Sequence, residues 1–414
     1  MEADVVVMCR SISVFFNDYS KTGIMLDNSE KKAYVIKKSH LLSIEYLLRH
    51  TDTVGYDIPK SLKSVLSFFK SRNIVINRKT VKLIQFYSKI PLRTVQLEIT
   101  NRCNLRCKHC YIPSYTDDLE VEDILKIIDE SERLGVMNFC ITGGEPLLHT
   151  DIEKILIYLL QTGMNITIFS NLINLNDNIK RIIVLSDRIS FKVSLDGGTP
   201  EVHDYIRGKG SFKKTYNNIL WLKKMGVPVE VNVVLNSANI SEIDALESLS
   251  RKLDIRFRYD KFIPFERGDE LQLPDEVYID NMLRIESVDF SKLKQHKKIN
   301  TSCFYCEAGN SYVYINNEGY VTFCPTLSSN KFSGGNVRSQ SLKEIWESST
   351  FFKRIRNIRC KYFEECKLNY ICNGGCRSRA ESYRGNIDDP DILECKMAFC
   401  LTGITPPSFR EILE

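Results

Sequence analysis

The sequence predicts an α/β protein: an incomplete barrel of six βα units, with a small α+β unit before it and a cysteine-rich unit after it. Three observations carry this. From residue 94 onward, short apolar strand patterns alternate with helical ones, the signature of a parallel sheet with helices outside it. Residues 1–93 hold 16 Lys and Arg against 8 Asp and Glu, whereas the remainder holds 41 against 44, so a basic front meets a slightly acidic body. Nine of the fourteen cysteines fall between 303 and 400. The boundaries expected are 1–90, 91–262, a bridging 263–302, and 303–414.

The composition, 43% hydrophobic and 26% charged, is that of an ordinary globular chain and excludes a disordered one. No apolar run approaches the ~20 residues of a membrane span. Met1-Glu2-Ala3-Asp4 is acidic and Val5–Met8 is too short for a signal peptide, so a cytoplasmic protein is expected. In that compartment clustered cysteines point to metal or catalysis before disulfides.

In the front unit, Ser11–Phe16, Gly23–Leu26 and Lys32–Ile36 read as strands, the last two joined by the turn-rich Asp27-Asn28-Ser29-Glu30. Leu41, Leu42, Ile44, Tyr46, Leu47 and Leu48 suit a helix. Pro59 opens another with Leu62, Val65, Leu66 and Phe69 on one face, and Asn73–Asn77 reads as a short strand. The excess of positive charge suggests an anionic partner or a solvated basic surface.

Barrel strands are expected at Thr94–Thr100, Asn138–Thr142, Ile166–Ser170, Ile189–Leu195, Val229–Leu235 and Ile255–Lys261. Helices are expected near 118–134, 151–162, 176–185, 212–225 and 239–253, the first stopped by Gly135. Sites in such a barrel lie at the carboxyl ends of the strands. There stands Cys103-Asn104-Leu105-Arg106-Cys107-Lys108-His109-Cys110, directly after the first strand. Three thiolates on a cubane iron–sulfur cluster leave one iron without a protein ligand, where a cofactor can bind. Positions i, i+4 and i+7 also describe one face of a buried helix, with cysteine as a small hydrophobe. After the second strand comes Thr142-Gly143-Gly144-Glu145-Pro146. Glycines there permit close backbone approach, and Glu145 offers a carboxylate to an ammonium group or serves as a helix-start acid.

The cysteine loop followed by this Gly-Gly-Glu-Pro stretch resembles the radical S-adenosylmethionine (SAM) enzymes, over residues 94–400. The resemblance implies a partial (βα)6 TIM-like barrel and a [4Fe–4S] cluster on Cys103, Cys107 and Cys110 that chelates SAM. One electron into the sulfonium then gives a 5′-deoxyadenosyl radical, which removes a hydrogen from the substrate. It further implies that Gly143, Gly144 and Glu145 hold the SAM amine, while Ser170, Asn171, Ser194 and Arg207 hold its ribose and carboxylate. Arg207 suits a carboxylate through its fork of donors. His109 takes a position that is usually aromatic in the family.

The carboxyl-terminal cysteines, with Cys306-x12-Gly319-x4-Cys324 and Cys372-Asn373-Gly374-Gly375-Cys376, resemble the SPASM extension of these enzymes, which carries two auxiliary [4Fe–4S] clusters. Carried over, the first auxiliary cluster takes Cys303, Cys306, Cys324 and Cys376, and the second takes Cys360, Cys366, Cys372 and Cys395. Five residues separate Cys360 from Cys366, where the family usually has two, and Cys400 is an alternative to Cys395. Zinc is the alternative metal for any four of these. Tyr312–Ile315 and Tyr320–Phe323 read as a hairpin around Gly319. Cys140, in an apolar strand, reads as a core residue, and Cys9 takes no role.

In shape the front unit resembles the winged-helix peptide-recognition element of enzymes that modify ribosomal peptides. The implied partners are a precursor peptide, whose leader adds a strand to residues 1–90, and an electron donor such as flavodoxin or ferredoxin. The implied reaction is a thioether crosslink of the sactipeptide or ranthipeptide type; a carbon–carbon crosslink and formylglycine formation of the anaerobic sulfatase-maturase type are alternatives. A nucleic-acid-binding iron–sulfur protein is the alternative of another class, and it leaves the Gly-Gly-Glu-Pro motif without a purpose. The substrate-side acid or base is not named by any motif; Asp260, Lys261 and Glu266, after the last barrel strand, are candidates by position only and read better as surface charge.

Overall fold

The computed structural model describes residues 90–112, 118–265, 267–285, 306–372 and 374–410, together with four strands of the amino-terminal part. Those four are β1 (Ile12–Asn17), β2 (Thr22–Asp27), β3 (Lys32–Lys37) and β4 (Val81–Phe86), in the order β3-β2-β1-β4. β1, β2 and β3 form an antiparallel meander and β4 lies parallel to β1. The sequence pattern gives the meander to within a residue or two and misses β4. The helices expected over 41–48 and 59–69, the strand at 73–77, and Cys9 lie outside the described residues.

The alternation of apolar residues from 94 becomes six parallel strands: β5 (Thr94–Thr100), β6 (Asn138–Gly143), β7 (Asn165–Ser170), β8 (Ile189–Ser194), β9 (Val229–Leu235) and β10 (Phe257–Lys261). Val95, Leu97 and Ile99 are fully buried in one hydrophobic cluster that also holds Ile124, Ile127 and Ile128 of helix Val121–Arg133. That face of the sheet is therefore the one covered by helices. Gly135, left-handed at φ 78°, stops that helix, as expected. Asn176 caps the helix Asp177–Ile183 by accepting the Ile179 N–H at 2.8 Å. A helix over Pro200–Arg207, absent from the sequence reading, precedes helix Ser211–Lys224.

Along β6 the same two faces appear, with Phe139 and Ile141 in the hydrophobic cluster. Cys140 lies on the opposite, inner face, next to Thr167 and Lys192. It is buried, as the sequence reading has it. Lys261 is corrected, from surface charge to a side chain only 2% exposed, ion-paired with Asp275. Asp260 is exposed and pairs with Arg258, and Glu266 lies outside the described residues.

The cysteine-rich part joins the same sheet. β11 (Tyr312–Ile315) pairs in parallel with β5, and β12 (Tyr320–Thr322) and β13 (Ser333–Asn336) extend it antiparallel, giving nine strands in all. The expected hairpin is present; its pairing with the first barrel strand is not visible in local sequence. Trp346, fully buried, donates its indole N–H to the Ile90 carbonyl at 2.7 Å, and Leu342 N–H reaches Glu130 at 2.6 Å. These contacts fix the carboxyl-terminal part on the barrel. Among the described residues no helix is long and apolar enough to cross a membrane.

Candidate functional site

The loop after β5 is held from two sides. The Arg102 guanidinium donates to Asp118 at 2.9 and 2.6 Å and to the Leu148 carbonyl at 2.8 Å. From the β6 loop, the Gly144 N–H donates to the Thr100 carbonyl and the Glu145 N–H to the Arg102 carbonyl, each at 2.8 Å. A Cβ on Gly144 would lie 2.4 Å from the Arg102 oxygen. What the bare Cα admits here is the backbone of the neighbouring loop, so the glycines lock the two motif loops together.

Glu145 is fully buried. Its Oε1 accepts the Leu147 N–H at 3.1 Å and the Ser170 hydroxyl at 2.7 Å, and its Oε2 accepts the Asn171 N–H at 2.7 Å. Leu172, a non-glycine residue at φ 61°, sits just beyond, with its N–H bonded to the Ser170 hydroxyl at 2.8 Å. Strained backbone of this kind clusters at ligand sites. Burial pushes the Glu145 carboxyl up to about 7, against the pull of its three donors and of Arg207. The Asn171 amide donates to Asn104 at 2.8 Å and reaches Cys103 Sγ at 3.9 Å, tying the third strand end to the cysteine loop.

Arg207 closes the other side. Its Nε donates to Asp196, its Nη1 lies 3.9 Å from Cys107 Sγ, and its Nη2 lies 3.4 Å from His109 Nε2. Asp196 is fully buried; it also accepts the Val234 N–H at 2.8 Å, and its own N–H donates to His203 Nδ1 at 3.2 Å. Burial raises its carboxyl, but the Arg207 guanidinium and the Val234 N–H outweigh burial and hold it below the usual range. Burial holds His109 and His203 neutral, each down to about 4. His109 Nδ1 and His203 Nε2 are buried without a partner. No motif in the sequence singles out Asp196; here it contacts Arg207 and both histidines. Ser194 stands half-buried at the end of β8.

Two groups of cysteines gather in the carboxyl-terminal part. Cys360, Cys366, Cys372 and Cys395 line one small cavity with Tyr362 and Phe363. Cys400, on the same helix as Cys395, is exposed and does not line it. Cys324 lies within electrostatic reach of both Cys306 and Cys376, while Cys303 lies outside the described residues. Asp391 and Arg379 connect the two groups, a link the sequence does not reveal. The Asp391 carboxylate accepts the Cys376 N–H at 2.7 Å and the Arg379 guanidinium at 2.7 Å, and its carbonyl accepts the Cys395 N–H at 3.0 Å. Gly375 is required beneath it, since a Cβ there would meet Asp391 at 2.6 Å.

Comparison with known proteins agrees with this arrangement. The family model of the radical SAM superfamily matches residues 97–249, and that of SPASM, an iron–sulfur cluster-binding domain, matches 306–376. The chain is a radical SAM enzyme with a SPASM domain. It is similar to the mycofactocin maturase MftC of Mycolicibacterium smegmatis, at 26% identity over 71% of this chain and 80% of that protein. It is also similar to the sporulation killing factor maturation protein SkfB of Bacillus subtilis, at 28% identity over 66% of this chain and 67% of SkfB. In fold it matches the structure of Streptococcus suis SuiB bound to its precursor peptide SuiA, with TM-score 0.66 and 16% identity, over 94% of this chain and all of SuiB.

A radical SAM enzyme with this extension uses a SAM-binding [4Fe–4S] cluster and auxiliary [4Fe–4S] clusters, and the residues present fit them. Burial pushes the Cys103 thiol up to about 12 and raises Cys107 as well. Burial does the same to Cys376 and Cys395, each to about 12. Thiolates in such places need a bound metal to offset their charge. Among the described residues no group of three or more His, Cys, Asp or Glu is drawn closely enough to grip one ion; a cubane spreads its thiolates over separate irons.

Proposed function

We propose that this radical SAM enzyme matures a ribosomally made precursor peptide and joins a cysteine sulfur to a carbon of another residue as a thioether. The single observation that supports it most is the juxtaposition of the Glu145 cradle and the three-cysteine loop with the Cys324 hairpin, which pairs with the strand that carries that loop. In this reading Cys103, Cys107 and Cys110 hold the SAM cluster. Gly143, Gly144 and Glu145 receive the SAM amine, with Glu145 ionised. Ser170, Asn171, Ser194 and Arg207 orient its ribose and carboxylate. Cys303, Cys306, Cys324 and Cys376 hold one auxiliary cluster, and Cys360, Cys366, Cys372 and Cys395 the other. When bound, these groups supply the 5′-deoxyadenosyl radical and an acceptor for the electron left after bond formation. The protein's part is to bind, orient and exclude water.

Residues 1–90 receive the leader, which adds a strand to the edge of the β3-β2-β1-β4 sheet. A flavodoxin or ferredoxin in the cytoplasm delivers the reducing electron. The similarity to MftC and SkfB, two maturation proteins, and to SuiB, which binds a precursor peptide, supports this substrate class.

The test is anaerobic reaction of the reconstituted enzyme, SAM and dithionite with the short peptide encoded beside the gene, read by tandem mass spectrometry. A product lighter by two hydrogens, with the link mapped to a sulfur, is expected. The same mass with a link between carbons changes the bond assigned, and loss of sulfur points to formylglycine. The chain lacking residues 1–90 should still release 5′-deoxyadenosine but leave the leader-bearing peptide unmodified; unchanged turnover would overturn the leader-binding role.

A further inference from the structure

Between the motif loop and the cysteine hairpin lies a cavity of about 600 Å³. Asn101 and Tyr111 bound it on one side, and Asn317, Glu318 and Thr326 on the other. Glu98 forms part of its wall. The alternation along β5 puts it there. Val95, Leu97 and Ile99 face the helices, so Gln96, Glu98 and Thr100 face inward. Glu98 is 6% exposed, and its Oε2 accepts the Tyr314 hydroxyl at 2.5 Å from β11.

We propose that Glu98 is the catalytic base of this enzyme, taking the proton that the substrate thiol gives up as its sulfur bonds to carbon. The proposal rests on the thioether reading above. A substrate carbon radical and a thiol form one C–S bond as the S–H bond breaks. The proton goes to the Glu98 carboxylate, and one electron goes to an iron–sulfur oxidant on Cys324, whose Sγ lies 3.2 Å from the Thr326 hydroxyl of the cavity wall.

The other acids of the cavity do not serve. Glu381 is ion-paired with Lys331 at 2.6 Å, and Glu318 is exposed. Tyr111 follows Cys110 in the chain and feels both Glu98 and Cys324, but burial raises its hydroxyl far beyond use as a base. Glu98 itself is raised by burial and by the charge of Glu318, and lowered by Tyr314 and the Asn317 N–H, to about 7. That is within two units of a free thiol and suits proton acceptance near neutrality.

The experiment compares full-length wild type, E98Q, E98D and Y314F, each reconstituted, at saturating SAM, with the peptide encoded beside the gene. E98Q should lose crosslinked product by roughly 100-fold or more while still releasing 5′-deoxyadenosine, with E98D intermediate. In the wild type the crosslinking rate should rise with pH through about 7, and Y314F should move that midpoint upward, because it removes a hydrogen bond that favours the carboxylate. If E98Q fails to take up iron, the Y314F midpoint and the E98D rate decide the matter. Crosslinking by E98Q at the wild-type rate, or a Y314F midpoint that stays put, overturns the proposal alone. Absence of any crosslink from the wild type overturns the thioether reading together with it.

Discussion

Replacing Glu145 by glutamine tests the SAM cradle directly. The carboxylate is fully buried and takes three donors, with Leu147, Ser170 and Asn171 all aimed at it. A bound ammonium group adds a charge-assisted hydrogen bond to this buried carboxylate, worth about 1.5–3 kcal/mol. Its loss should weaken SAM binding roughly 10- to 150-fold. The carboxyl must be ionised to receive the ammonium, and in the SAM-free chain burial holds it at about 7. Wild-type affinity should therefore fall about tenfold for each pH unit below 7 and level off above it, while E145Q shows no such slope. Stability of the SAM-free chain moves the opposite way. A carboxyl raised from 4.5 to about 7 by folding keeps its proton in the folded state, so stability is lost as pH rises between those values. The loss is about 3 kcal/mol, and E145Q escapes it. Equilibrium SAM binding under anaerobic conditions from pH 6 to 8 reads the first effect and thermal unfolding the second. Wild-type affinity flat with pH, or equal affinity in E145Q, would refute the assignment.

Two further outcomes concern the cysteine field. C395A should lose about four irons per chain whereas C400A keeps the wild-type count, because only Cys395 lines the cavity with Cys360, Cys366 and Cys372. Iron analysis after anaerobic reconstitution decides it. R379Q removes the buried guanidinium that bonds both the Asp391 and the Glu394 carboxylates. It should cost about 3–5 kcal/mol in chemical unfolding and move an auxiliary reduction potential to more negative values in a spectroscopic titration.

Local periodicity carries much of the fold because each barrel strand is specified by its own alternation. Val95, Leu97 and Ile99 can be read as one buried face without knowing what covers it. Strand limits shift by a residue or two, and the helix Pro200–Arg207 escapes notice because it buries a single apolar side chain, Ile206, beside the polar His203 and Arg207. The face opposite is another matter. Gln96, Glu98 and Thr100 have the pattern of a strand's wet side, and the same pattern arises on the inside of a polar barrel. Only closure of the sheet distinguishes the two.

The chemistry-bearing residues that escaped the sequence are those whose partners lie far along the chain. Cysteine spacing and Gly-Gly-Glu-Pro announce themselves, because a loop motif is a local object. Tyr314 meets Glu98 across 216 positions, and Asp196 gathers Arg207 from 11 residues away and Val234 from 38. Each of these depends on strand order. Pairing β11 with β5 places the hairpin that bears Cys324 alongside the strand that bears Glu98 and leads into Cys103. A parallel pair cannot be made by a short turn, and here the whole barrel lies between its two strands in the chain. The sheet therefore brings the end of β5 and the hairpin that leads into Cys324 to one cavity, with Glu98 in its wall.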